Sequence, residues 1–294
     1  MKRKAVLSVL LAGVLWGVIS LFVRPLSSAG FDPMQISLIR MIVAAISFVG
    51  ILLVKDPAKL RVRVRDLWIF FCTGIISVVI FNSCYFYAMT HGPASVAVVL
   101  LYTSPVFILL LSAAFFQEKI TAVKWIAVVL TVGGCVAISG LAAGTPAVSP
   151  LVLLAGVGSG LFYCLYSIFG KVALARYDAS TVTAYTFLFG LLGSIPFGNL
   201  PDTIDRISQK PTNLLLCLAI GIVSTVLPYF FYTWGLERME PGRAAILVTV
   251  EPLVGAVIGM TVYRESCDAW RILGILLILS TIVLLNLPKK AQTV

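Results

Sequence analysis

Charge is scarce in this sequence, histidine is nearly absent, and the cysteines carry no pairing pattern. Asp, Glu, Lys and Arg make up 12% of the 294 residues, against about 25% in a soluble domain. So few charges cannot cover a soluble globule of this length, which excludes that class. His91 is the single histidine, so neither a histidine-based metal centre nor a histidine-based catalytic site is expected. Cys72, Cys84, Cys135, Cys164, Cys217 and Cys267 show no C-x-x-C spacing, and five of them lie in apolar runs, which suits small packing residues better than disulfides or metal ligands. The glycines Gly156-x-Gly158-x-Gly160 follow no strand and sit in an apolar run, so they form no nucleotide loop. With no clustered carboxylates and no nucleophile–base set, neither an enzyme nor a cofactor is expected.

What is present is apolar length. Hydrophobic residues make up 60% of the chain and the mean hydropathy is +1.05, the composition of an integral membrane protein in contact with lipid. Apolar segments of roughly 20 residues suffice to cross the hydrocarbon core. Ten are expected, near 5–24, 34–54, 67–89, 95–116, 121–141, 150–170, 179–199, 212–235, 243–263 and 269–287. The start, "MKRK" before an apolar stretch and "SSAG", imitates a secretory signal. Its apolar part is longer than a usual h-region of about 7–15 residues, so it reads as a retained first helix.

The net charge of +10 is concentrated in short loops: Lys2-Arg3-Lys4, "KDPAKLRVRVRD" from Lys55, and Lys289-Lys290. Without aromatic platforms or a docking motif this is not a nucleic-acid surface. Placing both termini in the cytoplasm puts sixteen Lys and Arg inside and four outside, which fixes that orientation by the positive-inside rule.

The chain also repeats itself. A shift of 147 positions lays Pro105 on Pro252, Glu118 on Glu265, Tyr85 on Tyr232 and Ala97 on Ala244; a shift of 143 lays "AGVLWG" on "AGVGSG". Five segments per half make an odd number, so the second copy, 146–294, enters the membrane in the opposite sense to the first, 1–145. An inverted repeat of this kind is typical of secondary transporters, with the substrate site near the midplane; channels also use it.

"LLAGVLWGVISLFVRPL", the arginine of "SLIRMIVAA", the terminal "FFQEKIT" and "VYRES", and "VEPLVGAVIGM" together resemble the EamA-type proteins of the drug/metabolite transporter superfamily. The resemblance covers nearly the whole chain. It implies a ten-helix carrier of the bacterial inner membrane, often an exporter of amino acids or other small metabolites, and leaves the substrate open.

Glu251 stands about ten residues into the ninth segment, close to the midplane by helix rise. An acidic group at that depth faces a bundle interior or cavity. It serves either a substrate cation or a proton, or else it pairs with Arg40 or caps backbone opened by Pro252. Pro105 and Pro252 each remove a backbone donor, giving either a hinge with free carbonyls or a static kink. Arg40, deep in segment two, needs a carboxylate, helix carbonyls or a substrate carboxylate. Arg24, nearer an end, is expected to snorkel. Trp16 and Ser20, Asn82, Tyr85 and Tyr87, Tyr102, Tyr163 and Tyr166, Tyr229, Tyr232 and Trp234 supply the rings and polar groups an amphipathic metabolite needs, although for each alone packing or an interfacial belt also accounts for it. From these, the expected substrate contacts are Glu251, Tyr102, Asn82, Tyr229, Trp16, Tyr163 and Arg40. Glu118 and Glu265 are expected to end their helices on backbone or a basic neighbour. Gly13-xxx-Gly17 and Gly156-xxx-Gly160 are expected to permit close helix approach. The partners implied are a small molecule and membrane lipid, in a monomer or a homodimer.

Overall fold

A computed structural model describes residues 2–92, 94–138, 148–264 and 269–286. Glu265, Cys267, Lys289 and Lys290 lie outside them. All regular structure among the described residues is helical.

The chain opens with α1 (Lys2–Gly17) and α2 (Ser20–Ser28), separated by a tightened turn at Val18 and Ile19. Asp32 then starts α3 (Pro33–Lys55): its carboxylate accepts from the backbone of Met34 and Gln35, and the Gln35 side chain accepts in return from the Asp32 N–H. Two short 3-10 turns lead to α4 (Leu67–Phe71), a π-helical stretch over Cys72–Ile80 and α5 (Phe81–His91). The first half ends with α6 (Ala94–Leu101), α7 (Ser104–Phe116) and α8 (Ala122–Ile138). The second half contains α9 (Pro150–Leu174), α10 (Ala179–Ser194), the short amphipathic α11 (Leu200–Gln209), α12 (Pro211–Gly221), a second π-helical stretch over Ile222–Val226, α13 (Leu227–Glu237), α14 (Pro241–Leu247), α15 (Val250–Thr261) and α16 (Ala269–Asn286).

Among the described residues seven of the resulting segments are long and apolar enough to cross a membrane, and α8 and α16 contain shorter apolar helices. The remaining expected segment appears as α10, a helix of 16 residues. The apolar run predicts that α10 reaches residue 199, but the helix ends at Ser194. Ile195 still has helical angles; Pro196 stops the ladder after it, because it has no N–H for the carbonyl of Leu192.

Contacts between the halves come in matched pairs. α1 packs on α13, and α9 packs on α5; α1 packs on α15, and α9 on α6 and α7. α3 meets α10 directly, as α8 meets α16. Exchanging the halves leaves this pattern intact.

The closest of these contacts use the small-residue motifs. A Cβ built on Gly13 would stand 2.7 Å from the carbonyl oxygen of Val248, and one on Gly17 would stand 2.7 Å from that of Glu251. In the other half, a Cβ on Gly160 would lie 2.7 Å from Thr103 Oγ1 and 3.0 Å from Leu100 O, and one on Gly156 would strike the Leu100 side chain. Each G-xxx-G motif therefore lies on a helix break of the opposite half: α1 on the α14–α15 break, α9 on the α6–α7 break.

One end of the bundle is fastened by ion pairs across the halves. Lys59 binds Asp178 at 2.7 Å, Arg176 binds the buried Asp66, and Lys124 binds both Glu118 at 3.1 Å and Glu240 at 2.8 Å. Glu118 thus ends its helix on a basic neighbour, as expected. Burial alone would push the Asp178 carboxyl up, but the hydrogen bond from Lys59, and then those from the backbone and hydroxyl of Thr181, outweigh it and hold the group below its ordinary range.

Gly17→Ala is expected to lower the melting temperature in detergent, with overpacking of roughly 1–3 kcal/mol; Gly50→Ala, whose added Cβ meets nothing within 4 Å, is expected to leave it unchanged or higher. Because Asp178 titrates below its unfolded value, its contribution is complete above about pH 4 and is lost as pH falls through the folded value. Acid melting curves of Asp178→Asn should therefore show a shallower loss than the parent as pH falls below about 4.

Candidate functional site

The breaks at α6–α7 and α14–α15 share a local cause. Pro105 has no N–H for the carbonyl of Leu101, and Pro252 has none for that of Val248. Each break also holds a threonine that donates backward by three residues: Thr103 Oγ1 to Leu100 O and Thr249 Oγ1 to Ile246 O, both at 2.6 Å. The two prolines therefore lie just after opened turns, at the second and third positions of α7 and α15.

The π-helical stretches are a second matched pair, since a shift of 147 carries residues 75–79 onto 222–226. In each, a hydroxyl reaches back five residues: Ser77 to Cys72 O at 2.8 Å, and Thr225 to Ile220 O at 3.2 Å. The wider turn redirects the side chains after it, a device common at functional sites. Sequence reasoning missed both stretches; the available signal was the overlay of "ISVV" (76–79) on "VSTV" (223–226).

Between the halves lies a cavity lined by Trp16, Ser77, Tyr163, Tyr166, Ser167, Tyr229 and Tyr232. Its rings meet edge to face: Trp16 and Tyr229 have centroids 5.0 Å apart at 83°, and Tyr166 and Tyr229 5.2 Å apart at 89°. Two hydroxyls are fixed by neighbours, Tyr166 on Thr233 at 2.6 Å and Tyr232 on Ser167 at 2.7 Å. The space holds about one water molecule, far less than a metabolite.

Opposite charges flank this cavity. Arg40, from α3, donates through Nε to Thr225 Oγ1 at 2.9 Å. Its acceptor is a hydroxyl, neither the carboxylate nor the helix carbonyls expected from sequence. Glu251 lies near Tyr102. The two charges act on each other through space, and Tyr229 feels both. Tyr85 and Tyr163 also lie in the field of Glu251.

Of the expected contact residues, Trp16, Tyr163 and Tyr229 line the cavity, Arg40 and Glu251 flank it, and Tyr102 lies near Glu251. Asn82 is placed elsewhere. It donates to Ser37 Oγ at 2.9 Å and lines a separate small cavity with Met34, Val79, Ser194 and Phe197. Trp234 lies under the guanidinium of Arg238 and Tyr87 stacks on His91, both away from the cavity. Arg24 caps the ring of Tyr263 at 3.7 Å near its helix end. Ser77, Ser167, Thr225 and Thr233 were not singled out in the sequence, because a lone hydroxyl in an apolar run has no pattern of its own.

The EamA-like transporter family model matches residues 3–140 and again 150–287, one copy in each half. The chain belongs to the EamA-like transporter family. An uncharacterized transporter of Archaeoglobus fulgidus is 27% identical over 243 residues, covering 83% of this chain and 84% of that protein. The pseudopaline exporter CntI of Pseudomonas aeruginosa is 27% identical over 293 residues, covering 98% of each. A solved crystal structure superposes with a TM-score of 0.80 at 19% identity, covering 98% of both chains, which establishes a shared fold. The EamA-like chain is thus a multi-pass membrane transporter.

Thr225→Val keeps the volume of the side chain but removes the acceptor of Arg40. A partly buried charged donor left unmatched costs about 1–3 kcal/mol, so the melting temperature in detergent is expected to fall. Thr225→Ser should restore it.

Proposed function

We propose that this chain is a secondary carrier that exports a small metabolite, such as an amino acid, across the cell's inner membrane by alternating access. In this reading ten spans form two five-helix repeats of opposite sense, 1–145 and 146–294, with both termini cytoplasmic. The reading is supported by the exchange symmetry of the contacts between halves, and by the excess of Lys and Arg in the segments assigned to the inside. Both halves lie in one chain, so the site is complete in a monomer.

The observation that carries the proposal is the cavity itself. It lies between the halves, is walled by aromatic rings, is flanked by Arg40 and Glu251, and is closed around the space of about one water. A guest with a carboxylate, an ammonium and an organic body matches its charges and rings. It enters only if the halves separate, and the opened turns before Pro105 and Pro252 are suited to that bending. Sequence motifs for ATP binding are absent, so an ion gradient or the substrate's own gradient drives the cycle.

Counterflow into proteoliposomes, screened over amino acids, sugars and nucleosides, tests this directly. A carrier shows saturable accumulation against preloaded substrate; flux without saturation or counterflow would make it a channel, and altered products an enzyme. Glu251→Gln is expected to abolish uphill transport while leaving exchange measurable. If that variant keeps the parent's pH-dependent uptake, Glu251 does not couple protons.

A further inference from the structure

The connection between α3 and α4 holds the largest cluster of positive charge in the sequence: Lys55, Lys59, Arg61, Arg63 and Arg65 within eleven residues. Charge of this sign near a membrane needs only the positive-inside rule to explain it. Its geometry asks for more.

The segment is built onto the bundle rather than left as a loop. Leu60 and Val62 turn inward and pack on the apolar core. Thr181 Oγ1 donates to Lys59 O at 2.9 Å, Tyr185 donates to Leu60 O at 2.7 Å, and the backbone N–H of Arg63 donates to the Tyr177 hydroxyl at 3.1 Å. Arg61 and Arg63 have extended backbone angles. Alternate residues of an extended chain share a face and lie roughly 6.6 Å apart. Arg61 and Arg63 are exposed in that register, and Arg65, also exposed, continues the row along the chain from the 3-10 turn Val64–Asp66.

Nearby acids do not neutralise this row. Asp66 is buried and taken by Arg176 and Tyr177; Asp178 is taken by Lys59, which also reaches Asp56 at 3.8 Å. Among the described residues Arg61 and Arg63 have no acidic partner, and Arg65 feels only the already engaged Asp66. Immediately beyond the row the surface turns apolar: Val64 is 82% exposed, Trp68 51% and Phe71 44%. Trp68 opens a membrane-crossing segment, at the level where tryptophans anchor in the headgroup layer.

We propose that Arg61, Arg63 and Arg65 form a docking face for the phosphate of anionic lipid headgroups. Three exposed arginines follow one another at the start of a membrane-crossing segment, with Val64, Trp68 and Phe71 against the acyl boundary. Guanidinium binds phosphate through paired hydrogen bonds, which a lysine does not reproduce. The position at the mouth of a span selects a lipid over a soluble polyanion. The proposal rests on the chain spanning a membrane and is independent of what the cavity carries.

Native mass spectrometry of the purified full chain, with phosphatidylglycerol or phosphatidylcholine added in detergent, tests it. The parent should retain phosphatidylglycerol preferentially. Arg61→Gln/Arg63→Gln/Arg65→Gln should weaken that retention about tenfold or more, with an unchanged melting temperature because the three side chains are exposed. Removing equal charge at the amino terminus, by Lys2→Gln/Arg3→Gln/Lys4→Gln, should leave retention intact. Arg61→Lys/Arg63→Lys/Arg65→Lys should fall between parent and glutamine variant. Four outcomes would overturn the proposal: parental retention in the glutamine variant, equal losses in both charge-removing variants, displacement of the lipid by millimolar inorganic phosphate, or preference for a DNA oligonucleotide over phosphatidylglycerol.

Discussion

The close approach of a glycine-bearing helix in one half to a broken helix in the other is the constraint on which the rest depends. In a bilayer, helices gain nothing from hiding apolar surface from one another, so association relies on contact distance and on satisfied polar groups. Prolines 105 and 252 open backbone that lipid could not solvate. Gly13 and Gly17 let α1 lie against the carbonyls of Val248 and Glu251, and Gly160 brings α9 against those of Leu100 and Leu101. The broken turns are tolerable because another helix covers them. Since each half covers the other's break, neither half closes its own core.

That mutual bracing determines where the cavity can be. α1 and α9 each contribute a glycine face toward a break and an aromatic toward the centre, Trp16 and Tyr163. α9 and α13 supply the remaining rings and Ser167, and the first π-helical stretch adds Ser77. One extra residue per turn in each brings Ser77 to the cavity and Thr225 to the guanidinium of Arg40. Two departures from regular helix, the proline breaks and the π turns, therefore converge on one place from different helices.

Much of this was legible in the residues. Apolar segment lengths, the paired prolines and the G-xxx-G motifs are properties of single helices and survive in the sequence as spacing. The clustering of Trp16, Tyr163 and Tyr229 with Arg40 and Glu251 was legible because polar or aromatic residues are conspicuous against an apolar background. Asn82 was equally conspicuous, yet it lies at a separate cavity. Its partner Ser37 lies 45 positions away, and no periodicity links them. The acceptor of Arg40 was hidden for the same reason: Thr225 is one hydroxyl in an apolar run, 185 positions distant. The early end of α10 was open to view in Pro196. The α1–α2 break at Val18 and Ile19 left no comparable mark.

Glu251 looks different once the breaks, rather than the prolines, are used to align the halves. Thr103 and Thr249 make the same backward hydrogen bond and end the same opened turn. From Thr103 the proline comes after one residue, Ser104; from Thr249 it comes after two, Val250 and Glu251. One shift of 147 carries Ala97, Pro105 and Glu118 alike, so no residue is added; the turn of the second copy sits one position farther from its proline. One position is about 100° of rotation at 3.6 residues per turn, so the two breaks do not present the same face to the centre. Glu251 falls between that turn and its proline, and Tyr102, beside the turn of the other half, lies near it. The carboxylate is thus tied to both breaks at once: carried by one, close to the other. A pseudo-symmetric scaffold with a single carboxylate at its centre has no equivalent states on its two sides. In the proposed carrier cycle, opening toward one side moves the break that carries the carboxylate and opening toward the other moves the break beside Tyr102, which makes the surroundings of Glu251 a difference between the two proposed states.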